Sequence, residues 1–149
     1  MLNKSSIVNT SLPTGFMFFL GGLKSLDLFG KVYNRTPIME VTFTNSRLHK
    51  LCNSARKLKG KYGPRMATLI QQRLLELSDV ETLEDMLTVV GARCHQLTAD
   101  LSGLFAVDLV HPDRLAFKPA NEPLPLKSDG GIDLSRVTEV EVVAIGDYH

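Results

Sequence analysis

The hydrophobic pattern at the start of the folded region is first that of a strand and then that of a helix. Glu40–Thr44 alternates polar and apolar side chains, as a strand with one buried face does. The next apolar residues are three or four apart, which predicts an amphipathic helix that Asn45 or Ser46 caps and that Gly60 and Gly63 end. The apolar positions of this predicted helix are Leu48, Leu51, Cys52, Ala55 and Leu58.

The helical spacing continues through a second segment and into a short third one. Pro64 suits the first turn of a helix, and the apolar stripe that follows it extends to about Ser78. Thr82 and Asp85 have the three-residue spacing of a capping box, so we predict a short helix that ends at about Val90. This part of the chain is thus predicted to supply two or three helices.

Beyond Gly91 the period changes from that of helices to that of strands. Turn-forming residues at 100–103 and 111–113 separate the first segments, and Pro119–Asp133, with three prolines and two adjacent glycines, is predicted to be a long loop. The predicted strands are Arg93–Thr98, Leu104–Val110, Arg114–Lys118 and Val137–Ile145. The order predicts an α+β fold in which two or three helices pack on one face of a small, mainly antiparallel sheet of four to five strands.

The first 38 residues do not share these patterns. We therefore place the domain at residues 39–149, treat residues 1–38 as an extension outside it, and regard Met39 as a candidate for the natural start. The apolar run Phe16–Leu20 is far shorter than the roughly 20 residues that span a bilayer. Two cysteines cannot form a disulfide scaffold or a four-thiolate metal site. We therefore expect a cytoplasmic protein that does not contact a membrane.

The formal net charge of +1 conceals a segregation of charge along the chain. Residues 44–75 contain eight basic residues and no acidic one, whereas residues 76–149 contain five basic and fourteen acidic residues. Because charges beyond a Debye length of about 10 Å are screened from each other, the basic block has a positive field of its own. It is a candidate contact for phosphates or for an acidic protein, and a solvated helix surface is the alternative. Its basic residues are Arg47, Lys50, Arg56, Lys57, Lys59, Lys61, Arg65 and Arg73.

The sequence lacks the motifs of the common catalytic and cofactor sites. It has no phosphate-loop, dinucleotide-binding, nucleophile-elbow or His-Glu-x-x-His motif. The adjacent Cys94 and His95 have no second ligand pair at the spacing that a metal site needs, so we expect no metal and no cofactor. The candidates for chemistry are polar residues of the predicted sheet, namely His95, Arg114, Lys118, Asp147, Tyr148 and His149.

Two histidines and an arginine are the groups that RNA cleavage without a metal requires. One group deprotonates the ribose 2′-hydroxyl, another protonates the departing 5′-oxygen, and a guanidinium stabilises the negative charge of the transition state. The same residues also have structural explanations. His95 can be a hydrogen-bonded structural histidine, Arg114 a surface charge, and the last three residues a polar tail.

Three segments of the domain resemble the HigB-like toxins of the RelE/ParE superfamily. They are Cys94–Asp108, which begins Cys-His-Gln-Leu-Thr-Ala-Asp-Leu-Ser-Gly; Arg114–Phe117, which is Arg-Leu-Ala-Phe; and Ile145–His149, which ends Asp-Tyr-His. Members of that family combine a basic helical pair, a His-x-Leu-Lys-Gly-Asp…Gly segment that leads into a sheet, an Arg-x-x-Phe strand and an Asp-Tyr-His ending. The resemblance covers residues 39–149 and implies a RelE-like fold.

The resemblance implies a ribosome-dependent, metal-independent mRNA endoribonuclease, encoded beside a helix-turn-helix (HigA-like) antitoxin. His95 and His149 would share proton transfer, and Asp147 would orient one of them. Arg114 would hold the phosphate, and Tyr148 would stack on or position a nucleotide. Side chains of the basic helices and the sheet would contact the ribosome and RNA, namely Lys50, Arg56, Lys57, Lys59, Lys61 and Lys118.

The chain departs from the family pattern at Thr98-Ala99, where the family commonly has Lys-Gly. The change removes a cation from the expected site, and Lys118, on the same strand face as Arg114, could replace it. The departure favours two alternatives: a toxin-like binding module with weak or no catalysis, or an inhibitor of DNA gyrase like the ParE branch. A third alternative is a small interaction protein in which the basic block only solubilises two helices.

Overall fold

A computed structural model describes residues 25–26, 32–33 and 38–148 of the chain. Within these residues, four α-helices pack against a five-stranded sheet, so the predicted α+β class is confirmed. The helices are α1 (Ser46–Cys52), α2 (Ala55–Tyr62), α3 (Pro64–Asp79) and α4 (Leu83–Met86). The strands are β1 (Ser25–Leu26), β2 (Val32–Tyr33), β3 (Glu40–Phe43), β4 (His95–Gln96), β5 (Phe105–Asp108), β6 (Arg114–Pro119) and β7 (Glu139–Gly146).

The predicted extension, residues 1–38, lies mostly outside the described residues. Its strands β1 and β2 pair with each other in antiparallel register, and neither belongs to the five-stranded sheet. Met39 is fully buried in the core, and the backbone N–H groups of Ile38 and Met39 donate to the Ser78 carbonyl at 2.8 and 3.3 Å. In the part of the chain that the structure describes, no helix is long and apolar enough to cross a membrane.

The five-stranded sheet is mixed, with the order β3-β7-β6-β5-β4. The pairs β4–β5, β5–β6 and β6–β7 are antiparallel, while β3 runs parallel to β7. The expected antiparallel character therefore holds for three of the four pairings. The parallel pair arises because β7 inserts between β3 and β6 after the long loop that follows Pro119.

One face of the sheet packs against the helices and forms the core. Phe105 and Phe117 stack there with their ring centroids 6.1 Å apart, against helix residues such as Leu58 and Leu74. The core side chains of the sheet are Val41, Phe105, Val107, Leu115, Phe117, Val140 and Val142. Alternation along β6 turns Arg114, Ala116 and Lys118 to the opposite face, as predicted.

The predicted first helix is in fact two helices, α1 and α2, because the chain breaks at Asn53 and Ser54. The Asn53 amide Nδ2 donates to the His49 carbonyl at 2.8 Å, at the end of α1. The Ser54 hydroxyl accepts the backbone N–H of Lys57 at 3.2 Å and caps α2. Both side chains offer the backbone a local alternative to a continuous helix. The apolar residues keep helical spacing across the break, so the hydrophobic pattern does not reveal it.

Of the two glycines predicted to end the first helical segment, Gly63 is confirmed and Gly60 is wrong. Gly60 lies inside α2, whereas Gly63 caps the helix directly after Tyr62 with a φ of 83°, which favours glycine. A second predicted helix end, at about Val90, is also wrong. The predicted capping box of Thr82 is present, but α4 ends at Met86 rather than at about Val90.

Strand β4 is shorter than predicted because the backbone turns on both sides of it. Only His95–Gln96 of the predicted segment pairs with β5, and Ala99–Leu101 forms a 3-10 helix. Arg93 and Ala99 have φ values of 50° and 57°, in the left-handed region that residues with a side chain seldom adopt. Such angles persist only where the surrounding structure holds them.

Arg73 is buried in the structure, although the charge pattern places it in the basic block. Its Nε donates to the Asp108 carbonyl at 2.8 Å and its Nη2 to the Gly91 carbonyl at 2.7 Å. Its Nη1 lies 3.0 and 2.9 Å from the two carboxylate oxygens of Glu76. The guanidinium therefore joins α3 to the end of β5 and to the turn after α4. The other seven basic residues of the block are exposed.

We predict that Arg73→Met destabilises the fold by about 3–5 kcal/mol, because it removes the cation that pairs with Glu76 and leaves two carbonyl groups without their donor. Urea denaturation followed by circular dichroism measures the change. Arg65→Met, at the exposed start of the same helix, is the control and should change the free energy of unfolding by less than about 0.5 kcal/mol. Equal effects of the two substitutions would contradict the role given to Arg73.

His49 makes the stability depend on pH. The side chain is buried against Phe43, with ring centroids 5.3 Å apart, and its Nε2 has no hydrogen-bond partner among the described residues. Burial, and secondarily the charge of Lys50, lowers the pKa of His49 below 6.5. The unfolded chain therefore binds more protons than the folded protein in this range, and stability falls as the pH drops below about 6.5.

We predict that His49→Leu flattens the dependence of the unfolding free energy on pH between 7 and the lowered pKa. One proton accounts for at most about 1.4 kcal/mol per pH unit. Urea denaturation at a series of pH values measures the slope, with His111→Leu, at an exposed turn, as the control. An unchanged slope in the His49 variant would refute this assignment.

Candidate functional site

The residues that the sequence predicts for catalysis fall at two places on the sheet. Arg114 pairs in register with Gly146, so the start of β6 lies beside the segment that carries Asp147 and Tyr148. His95 is on β4, two strands away from β6. His149 lies outside the described residues.

Arg114 belongs to a cluster of two guanidinium groups that share one carboxylate. The Asp108 oxygens lie 3.5 Å from Nε of Arg114 and 3.3 Å from Nε of Arg93. Arg114 and Asp108 are opposite each other in the β5–β6 register, and their side chains are 20% and 29% exposed. The Arg93 side chain is 81% exposed and approaches from the turn before β4. Two cations and one anion leave a net positive charge, and each guanidinium has more N–H donors than one carboxylate contact uses.

His95 lies on the same sheet face as this cluster. It pairs with Ala106, and Ala106 and Asp108 are two residues apart on β5, so their side chains share a face. Two strand spacings across β5 and an offset of two residues along it put the His95 and Arg114 backbones roughly 12 Å apart. The two residues therefore lie on either side of β5, and their backbones do not pair with each other.

The hydrogen bond of His95 determines which nitrogen can act as a base. Nδ1 lies 2.8 Å from the Arg93 carbonyl oxygen. Because a carbonyl only accepts, Nδ1 carries the hydrogen in this contact, and Nε2 of the neutral ring keeps its lone pair. The left-handed backbone of Arg93 thus presents both its guanidinium and the carbonyl that orients the imidazole.

Tyr148 lies near α2 and the β5–β6 turn. Burial, and then the nearby Tyr62 and Asp113, raise the pKa of Tyr148 to about 12. The phenol is therefore protonated near neutral pH and can donate a hydrogen bond. Its hydroxyl oxygen is buried and has no hydrogen-bond partner among the described residues, while Asp147 is exposed. Because the Tyr148 ring is half-buried, it is better placed to position a neighbouring group than to stack nucleotide bases on both of its faces.

Lys118 lies farther from Arg114 than their shared strand face suggests. It shares a strand face with Arg114 but lies four residues along β6, roughly 13 Å away. Its Nζ is 3.8 Å from a carboxylate oxygen of Glu141. The cation that lies close to Arg114 is instead Arg93, which is not among the predicted site residues. The two guanidinium groups are linked by the Asp108 carboxylate that both of them contact. The position of Arg93 in the sequence, just before Cys94, does not indicate this role. The contact of Arg93 with Asp108 depends on the β5–β6 register and on the left-handed turn.

The basic side chains of α1 and α2 form two shallow depressions. A cleft of about 440 Å³ between the helices is lined by Ser46, Arg47, Lys50, Leu51, Lys57 and Lys61. A depression of about 460 Å³ is lined by Ala55, Arg56, Lys59 and Gly60. None of these six cations forms an ion pair with a described residue. The structure thus brings together five of the six predicted RNA-binding residues and separates Lys118 from them.

Neither cysteine is placed for nucleophilic or metal chemistry. Burial raises the pKa of the Cys52 and Cys94 thiols to about 12 each, which keeps them protonated. Within the described residues, no group of three or more His, Cys, Asp and Glu side chains is arranged to hold a metal ion.

The candidate site therefore consists of the Arg93–Asp108–Arg114 cluster with His95, and of a separate basic surface on α1 and α2. This arrangement can bind phosphate groups at both places and can transfer a proton at the first. Neither a protein-family model, nor a curated protein, nor a solved structure matches this chain.

Proposed function

We propose that the protein is a HigB-like toxin with a RelE-like fold that cleaves mRNA on the ribosome without a metal. The observation that carries this proposal is the convergence of Arg93 and Arg114 on Asp108, on the sheet face that also holds His95. A cytoplasmic location, the ribosome and mRNA as partners, and a helix-turn-helix antitoxin belong to the same proposal.

The chemistry follows from the groups of the cluster. Nε2 of His95 accepts the proton of a ribose 2′-hydroxyl, and the oxygen attacks the adjacent phosphorus. The bond to the 5′-oxygen breaks, which leaves a 2′,3′-cyclic phosphate, and the 5′-oxygen takes a proton from a general acid. The resemblance assigns that acid to His149. Arg114 and Arg93 donate hydrogen bonds to the phosphoryl oxygens, whose charge increases in the transition state.

The backbone at Ala99 supports the match to the family motif. The family pattern has glycine at this position, and Ala99 has a φ of 57°, the left-handed conformation that glycine adopts most readily. The lysine that the family has one residue earlier is Thr98 here. Arg93 offers a second cation on the sheet face of His95, so the loss of the lysine does not leave Arg114 as the sole cation of the cluster.

A second candidate function is a toxin-like module that binds RNA without cleaving it. Asp108 favours it, because a carboxylate 3.3–3.5 Å from both guanidinium groups partly neutralises them and competes with a phosphate. Inhibition of DNA gyrase is the variant of this alternative that the ParE branch suggests.

A ribosome cleavage assay with primer extension on a translated mRNA tests the proposal. We predict that Arg114→Ala, Arg93→Ala and His95→Ala each reduce cleavage by roughly 100-fold or more, because each removes charge stabilisation or proton transfer. Lys127→Ala, an exposed cation of the long loop, is the control and should cleave like the original protein. Thermal unfolding of each variant verifies that the fold is intact.

The same assay separates the candidate functions. If the original protein produces no cleavage ends but still binds the ribosome, the result would support a module that binds RNA without cleaving it. Absent cleavage together with inhibited DNA supercoiling would support gyrase inhibition. Cleavage that survives in all three variants would overturn the site assignment.

A further inference from the structure

Helix α2 forms an exposed ridge with cations on its crest and on both flanks. At 100° per residue, the fully buried Leu58 marks the side of the helix that faces the core. Arg56 and Gly60, one turn apart, then lie on the outward crest. Lys59 lies on one flank, and Lys57 and Lys61 lie on the other. The two depressions that these residues line border the ridge on either side.

Helix stability explains only part of the charge of this ridge. Lys59 and Lys61 stand in the last turn of α2, where a cation suits the helix dipole. Arg56 and Lys57 stand in the first turn, which contains no acidic residue, and a cation there opposes the positive end of the dipole. Since neither of these two side chains forms an ion pair with a described residue, a negatively charged partner explains them better than folding does.

Gly60 is a second and independent sign of a partner. Gly60 lies in the last turn of α2, and a glycine within an exposed helix is less favourable than alanine. A Cβ built at Gly60 would meet no atom within 4 Å, and its φ is not in the left-handed region. Nothing in the described protein therefore requires a glycine here. The missing side chain instead lets another molecule approach the helix backbone closely.

We propose that α2 docks as a ridge in the minor groove of an A-form RNA duplex, with Gly60 against the groove floor. The flanking lysines would contact phosphates of the two strands, and Arg56 would reach a phosphate or a 2′-hydroxyl. The proposal rests on the proposed function in one respect, since a ribosome-dependent enzyme meets such duplexes in ribosomal RNA. It names the feature that the basic helices recognise, which is distinct from the single-stranded mRNA at the sheet.

The dimensions favour A-form RNA over B-form DNA. A helix with its side chains is about 10–12 Å across. The minor groove of A-form RNA is wide and shallow, whereas that of B-form DNA is only about 6 Å wide. The major groove of B-form DNA is about 12 Å wide and admits a helix, but it is about 8.5 Å deep, so a helix reads its base edges through polar side chains on its crest. The crest of α2 has one arginine and one glycine, which suits a shallow groove.

Fluorescence anisotropy with the full-length protein tests the proposal. The probes are a labelled RNA duplex of about 20 base pairs, a DNA duplex of the same sequence and one single strand of the RNA. We expect the RNA duplex to bind at least about tenfold more tightly than the other two probes. Equal binding of DNA or of single-stranded RNA overturns the proposal, as does binding to an acidic polypeptide with no binding to the duplex.

Gly60→Gln is the decisive variant. It adds a good helix former at an unobstructed position, so thermal stability should be unchanged or higher, while the affinity for the RNA duplex should fall about tenfold. Thr68→Gln, at an exposed position of α3 outside both depressions, is the matched control. Unchanged affinity in the Gly60 variant overturns the role of close approach.

Lys57→Gln and Lys59→Gln test the two flanks separately. Each should lower the slope of log affinity against log salt by roughly one, as expected for one phosphate contact. If only one flank contributes, the groove geometry is wrong. Failure of the proposed function is distinguishable, because absent mRNA cleavage with intact duplex binding removes the nuclease and leaves the ridge in place.

Discussion

The Arg73 guanidinium holds three segments together, and the candidate site depends on them. It donates to the carbonyls of Gly91 and Asp108 while it pairs with Glu76, so α3, the turn before β4 and the end of β5 are fixed relative to each other. The carboxylate of Asp108, at the end of β5, forms ion pairs with Arg93 and Arg114. A buried ion pair is expensive to form and costly to break from one side, which makes such a centre a rigid reference point. The geometry of the surface cluster therefore depends on a cation that is itself only 6% exposed.

Most elements of the fold could be predicted from local signals, because each has a local cause. Pro64 begins a helix and the capping box at Thr82 begins another. The break between α1 and α2 could not be predicted, since apolar spacing continues across Asn53 and Ser54 while their side chains bond the backbone. The parallel pairing of β3 with β7 depends on contacts about 100 residues apart, which no periodicity contains.

The candidate site could be predicted only in part, for a similar reason. The types and approximate positions of His95 and Arg114 are visible as motif residues, and alternation along a strand puts Arg114 and Lys118 on one face. Which cation joins which carboxylate is decided by strand register and by a left-handed turn. Strand alternation therefore predicts Lys118 as the second cation beside Arg114, whereas the three-dimensional contacts favour Arg93. Tyr62, which contributes to the environment of Tyr148, belongs to a helix that no catalytic pattern would include.

Helix α3 also separates the charges of the protein in space. Arg65 stands in its first turn, while Asp79 stands at its other end, about 21 Å away by helical rise, with Glu76 about one turn before it. The described residues thus have a separation of charge that the net charge of +1 does not reveal. Near a polyanion, such a separation turns the basic end forward before contact. The rate of productive encounters would then depend on how the protein is oriented, rather than on how much of it accumulates along a negatively charged surface.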